Sequence, residues 1–168
     1  MKPGRRIVTG HDAEGRSVVV ADGPVPVLQE LPEGSRFFEV WSSGEARAPL
    51  AAREPEPTRA GGPVAPRGGG SLARVVETPP GGRAPMHRTE SLDYAVVLAG
   101  EMTLILAGGE EVILSPGDVV VQRGTDHAWE NRGSEPVLMF TALVGAELTP
   151  ELRELLGDDL TFFDDPPA

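Results

Sequence analysis

From Ser71 onward the chain is a succession of short strand-like runs, each cut off by a turn signal before it can lengthen. The runs cover residues 72–77, 93–99, 102–107, 110–114, 119–123, 127–131 and 137–144, with Gly-, Pro- and Asp-containing turn groups between them. This length and spacing predict an antiparallel sandwich or barrel. Composition closes off the main alternative. The 168 residues include 21 glycines and 17 prolines, and inside a helix these cost about 1 and 3 kcal/mol each. This argues against a helical bundle, and the length fits one domain.

Before Ser71 the pattern thins. Residues 17–21 and 37–41 read as strands, with turn signals at 12–15 and 22–23. Residues 42–70 hold Pro49, Pro55, Pro57, Pro63, Pro66 and the run Gly68, Gly69, Gly70, without helical or strand period, so they read as a loop. Residues 1–70 are therefore expected to be an arm with extra strands, too small for a core of its own. Residues 71–145 form the barrel, and residues 146–168 a short helix and an acidic tail. For that helix, Thr149 suits the cap, Pro150 the first turn, and Leu152, Leu155 and Leu156 an apolar stripe. Phe162 and Phe163 in the tail are candidates to dock.

Several function classes fall away. There is no cysteine, which removes disulfides, thiolate metal sites and a cysteine nucleophile. A net charge of −11, from 15 basic and 26 acidic residues, gives no support for phosphate-backbone binding. No signal peptide and no run near the ~18 apolar residues of a membrane span are found. The expectation is a soluble cytoplasmic protein with a small-molecule substrate and neither nucleic-acid nor membrane partners. The Gly68–Gly70 run sits in a proline-rich segment and precedes no helix, so it is no phosphate cradle.

Only three histidines are present. His11 lies in a polar turn. His87 and His127 open strand-like stretches, where alternate residues share a face. His87 therefore points with Thr89, and His127 with Trp129 and Asn131. If those faces line a barrel interior, the two imidazoles meet across 40 residues of sequence. Trp129 is then either a stacking surface for a planar ligand or plain core. One of Gln122 and Arg123 faces inward and is a candidate substrate contact. Arg88 is expected on the surface and Asp126 in a solvated loop, while Glu90 could replace Asp93 on a bulged strand.

Here the sequence resembles the cupin superfamily of small jelly-roll barrels. In the family's first motif, His87 falls at the first His, Thr89 at the second His, Asp93 at the Glu and Gly100 at the closing Gly, with Gly81 and Gly82 near the initial Gly. Gly117, Gly124, His127 and Asn131 answer to the second motif; Arg123 stands where that motif has Pro, and the loop is one residue shorter. The resemblance spans residues 72–144 and implies an all-β double-stranded β-helix, with a homodimer as the expected assembly.

It also implies a divalent metal, typically held by three His and one Glu. Here His87, Asp93 and His127 remain as the ligand set, with Thr89 in place of the third imidazole. Two imidazoles and one carboxylate suit Fe(II) and accommodate Zn, Mn or Ni, though Asp93 is a methylene shorter than Glu. Three functions follow as expectations. One is a metal-dependent lyase, isomerase or dioxygenase acting on a small carbonyl, enol, phenolic or carboxylate metabolite, with Thr89, Gln122, Arg123 and Trp129 as substrate contacts. Another is a metal-free enzyme using His87 and His127 as acid–base groups. The last is a non-catalytic small-molecule-binding protein.

Overall fold

Alternation sorts the strands into layers. The computed structural model describes residues 4–66 and 68–157, so Phe162 and Phe163 lie outside the described residues. The first strands are β1 (Arg6–His11), β2 (Ser17–Gly23), β3 (Val27–Glu30) and β4 (Arg36–Ser43). They are followed by β5 (Ser71–Thr78), β6 (Ser91–Ala99), β7 (Met102–Leu106) and β8 (Glu111–Leu114). The last are β9 (Val119–Arg123), β10 (His127–Glu130) and β11 (Val137–Gly145), closed by helix α1 (Pro150–Leu156).

A six-stranded sheet runs β3-β4-β5-β11-β6-β9 and a three-stranded sheet β10-β7-β8, all neighbours antiparallel. The core lies between them: Ala95, Val97, Val137 and Met139 from the large sheet meet Met102, Leu104 and Leu114 from the small one. Each large side chain buried there contributes about 1.5–3 kcal/mol. Gly100 makes the tight passage from β6 to β7 at φ 78°, where an added Cβ would lie only 2.9 Å from the Pro136 carbonyl oxygen. This is the double-stranded β-helix that the strand spacing and the resemblance imply.

The N-terminal segment is more ordered into sheet than the sequence suggests. β4 pairs along β5 from Arg36↔Glu77 to Ser43↔Ser71, so the arm extends the barrel's main sheet. β1 and β2 form a separate hairpin, attached through Arg6 Nη1 donating to the Val40 carbonyl (3.0 Å) and His11 N–H to that of Ala52 (2.9 Å). β1 and β3 escape the sequence reading because they offer little period; β3 is four residues wedged between Pro26 and Pro32.

The terminal helix begins as expected, with Thr149 Oγ1 accepting from the Leu152 N–H at 3.2 Å. Its leucine stripe is a correction: no helix residue is buried, and Leu155 is 81% exposed. The helix is tied to the barrel through Arg153, which donates to Glu90 at 2.7 Å. Among the described residues no helix is long and apolar enough to cross a membrane.

Candidate active site

The two histidines are placed by the backbone. Residues 83–87 form no strand of their own but bridge to β10 at Arg83↔Glu130 and His87↔His127. His87 N–H donates to the His127 carbonyl and His127 N–H to the His87 carbonyl, both at 2.9 Å. A pair that exchanges both bonds is directly opposed, and its side chains rise from the same face. The imidazole centroids accordingly lie 4.1 Å apart with planes tilted by 52°. Trp129, two residues along β10, stands edge-on to His127 at 5.7 Å.

Each ring is fixed in one tautomer by its own loop. His87 Nδ1 faces the Pro85 carbonyl at 2.7 Å and His127 Nδ1 the Thr125 carbonyl at 2.9 Å. A carbonyl only accepts, so Nδ1 carries the hydrogen in both neutral rings and the lone pair sits on Nε2. Burial pushes His127 down to about 4, reinforced by the neighbouring His87. Burial lowers His87 as well, but the Pro85 carbonyl and Asp126 support its charged form. The two rings thus differ in proton affinity, and His87 takes the first proton.

Both rings open onto a cavity of about 110 Å³ inside the barrel, also lined by Phe37, Val76, Met102, Met139 and Trp129. Roughly 10–15 Å³ on this measure holds one water, so there is room for several waters or a small organic molecule. Thr89, Asp93 and Gln122 line it too, as alternation predicts.

The metal set expected from the resemblance does not assemble. Among the described residues no three His, Asp or Glu side chains cluster as an ion requires. The chemistry of Asp93 gives the reason. Its oxygens are engaged by the Ser91 hydroxyl (2.5 Å) and the Thr89 hydroxyl (3.4 Å), and burial pushes its pKa up against the pull of those two hydroxyls. Thr89 supplies a hydroxyl already held by Ser91 at 2.9 Å. The residues present do not fit a divalent metal.

Four further expectations need correction. Arg123 is exposed and does not line this cavity; Gln122, its neighbour, is the inward residue. Arg88 points away from the cavity yet is only 3% exposed, because Asp126 closes over it in an ion pair. Asp126 is accordingly no solvated loop acid, and Glu90 faces outward to Arg153.

Sequence reasoning missed a buried charged pair, of which Arg74 lines the cavity. Arg74 and Glu39 lie 3.3 Å apart on β5 and β4, both buried. Burial drives both toward their neutral forms, lowering Arg74 and raising Glu39, and each opposes that drift in the other. Arg74 Nη2 also donates to the Pro63 carbonyl at 3.0 Å, and its guanidinium lies 4.2 Å over the Phe37 ring. The signal was available: alternation along β5 puts Arg74 on the same inward face as Leu72 and Val76. Four polar atoms of cavity-lining residues have no partner, namely Arg74 Nε, Gln122 Nε2, Thr141 Oγ1 and Glu33 Oε1.

Comparison with known proteins agrees with this architecture. The cupin-domain family profile matches residues 74–143. Over 132 residues the chain is 42% identical to the phomopsin biosynthesis cluster protein C' of Diaporthe leptostromiformis, covering 76% of this chain and 70% of that protein. It is 38% identical over 144 residues to the cupin-domain-containing oxidoreductase fogC of Aspergillus ruber, covering 83% and 71%. The cupin domain of Schizosaccharomyces pombe Cnp3 superposes with a TM-score of 0.53 at 16% identity, over 85% of this chain and 88% of that domain, a likeness of fold alone. From the facing sheets, the motif positions and these relatives, the chain belongs to the cupin superfamily.

Proposed function

We propose that the chain is a small-molecule enzyme whose His87–His127 pair moves a proton within the barrel cavity. The observation that carries this reading is the paired imidazoles at the wall of a largely apolar cavity, each with its Nδ1–H held on a backbone carbonyl. His87 is the base: it accepts a proton from substrate carbon or oxygen, and the electron pair of the broken bond stays on the substrate. His127 remains neutral, because a second buried charge 4.1 Å away is unfavourable. The proton then returns to a different substrate atom, giving isomerisation, or to a leaving group, giving elimination. The balance is closed without electron transfer.

The names of the relatives support small-molecule chemistry. One is a biosynthesis cluster protein, and others are named as cupin-domain-containing oxidoreductases. Proton transfer beside a reactive carbon is a half-step shared by isomerases, lyases and many oxidoreductases. The donor set does not fit a divalent ion, so no step is routed through one.

The test is exchange of carbon-bound hydrogen with deuterated water, followed by NMR on 2-indanone, an enolisable ketone used as a probe. The wild-type protein should exchange it faster than buffer, and His87→Ala should slow this by about 10²-fold or more. An unchanged rate in both His87→Ala and His127→Ala overturns the reading.

A further inference from the structure

The unpartnered donors on the cavity wall are not scattered evenly. Thr141 on β11 is the ladder partner of Arg74 on β5, and directly opposed residues on one face have Cβ atoms about 4.5–5.5 Å apart. Arg74 Nε and Thr141 Oγ1 are both buried and both lack a hydrogen-bond partner, a state that is unfavourable for each group. Native proteins leave few such groups unsatisfied, and two side by side on one wall need a reason. Gln122 stands two strands further along the same sheet and two residues out of register with Thr141, about 12 Å away, and is not part of this pair.

The two atoms specify what they can hold. Arg74 Nε is a donor only, and the Thr141 hydroxyl can donate beside it. Together they want one acceptor oxygen. The charge around them decides between a carboxylate and an uncharged carbonyl. The Arg74 guanidinium is already matched by Glu39 at 3.3 Å. Asp93 stands on the neighbouring strand, one inward position along from the Thr141 partner Ala95. A ligand carboxylate would enter beside two buried carboxyl groups with no unmatched cation to meet it. The rest of the wall, including Phe37, Val76 and Met139, is apolar.

We propose that Arg74 Nε and Thr141 Oγ1 form an oxygen subsite that takes the carbonyl of an uncharged, otherwise apolar ketone. The subsite deepens the acid–base reading and depends on it for its catalytic meaning, though not for binding. Donors aimed at a carbonyl oxygen stabilise the negative charge that gathers there when a neighbouring C–H proton is removed.

The experiment compares two probes that differ in one group, 2-indanone and 2-methylideneindane, by calorimetric titration of the full chain. The wild-type protein should bind the ketone about tenfold or more tightly than the hydrocarbon. Thr141→Val keeps the shape and removes the hydroxyl; Arg74→Lys keeps a cation facing Glu39 but has no nitrogen at the Nε position. Each should cut the ratio by about three- to tenfold, mostly through weaker ketone binding. Equal binding of the two probes, no measurable ketone binding at the solubility limit, or a ratio untouched by both variants overturns the subsite. Tighter binding of indane-2-carboxylate than of the ketone overturns its uncharged specificity. The deuterium experiment separates the two proposals: ketone preference without exchange keeps the subsite and removes the acid–base reading, and exchange without preference does the reverse.

Discussion

The burial of His127 in the cavity makes the fold sensitive to pH. Its imidazole ionises near 4 in the fold, against about 6.5 when unfolded. Above pH 6.5 it is neutral in both states and has no effect. As pH falls from 6.5 toward 4 the unfolded chain takes up a proton that the fold refuses, so stability is lost, by about 3 kcal/mol at the end of the window. His87 acts in the same sense. Asp93 and Glu39 act in the opposite sense, since burial raises both and acidification through their range favours the fold. The diagnostic is therefore a difference: between pH 7 and pH 4.5, urea titrations should show wild type losing more stability than His127→Leu. The exchange activity should likewise keep its acid limb below pH 6.5, because the His87 base must be neutral and its own ionisation lies lower than that of a free imidazole. A rate that halves at pH 6.5 or above contradicts this. A further substitution bears on the ligand set. Thr89→His should supply a third imidazole and release Asp93 from one hydroxyl. Zinc affinity measured by competition with a chelating dye should rise at least about tenfold over wild type, with about 1–3 kcal/mol lost to overpacking.

At the scale of elements, the end of β10 is held by one buried amide. Asn131 Nδ2 donates to the Thr78 carbonyl (3.0 Å) and the Glu135 carbonyl (2.9 Å), and its Oδ1 accepts from the Gly133 N–H (2.9 Å). This fastens β10 to the end of β5 and shapes the turn into β11, which is why the motif position wants an amide. Asn131→Leu should cost about 2–4 kcal/mol in chemical denaturation, through three lost bonds and the orphaned backbone groups. Loss below about 1 kcal/mol would mean that water replaces the amide. The elements also show what the sequence could reveal. β5 to β11 were legible because alternation and turn residues agree along them. The approach of His87 to His127 was legible only as shared facing, since their pairing is a bridge outside any regular strand. The same irregularity explains Arg88. Pointing away from the cavity was equated with facing water, whereas Asp126 from the adjoining loop covers it. Asp93 was placed correctly by alternation. Its neighbour Ser91, on the same face two residues earlier, was the unused clue that its oxygens were already engaged.

For the whole molecule, the large sheet interleaves distant parts of the chain. β4 from the arm lies against β5, and β11 from the far end lies on the other side of it. Arm and barrel should therefore unfold together, in one calorimetric transition with matching van't Hoff enthalpy. A chain starting at Ser71 loses Glu39, leaving Arg74 without its ion-pair partner, and bares the edge of β5. It also loses Phe37 from the cavity wall. That chain should be far less soluble and melt lower; an equally soluble, equally stable product would show the arm to be dispensable.

The backbone bridge that pairs His87 with His127 belongs to the small sheet's side of the barrel, whereas Arg74 and Thr141 belong to the large sheet. The reactive groups and the groups that select a ligand are thus inherited on separate pieces of scaffold. Mutational drift on the inner face of β5 and β11 can change what enters the cavity while the ring geometry stays pinned by main-chain bonds that no side-chain exchange removes. Such a division makes the fold readily evolvable: new specificities arise one wall at a time, without rebuilding the reactive pair.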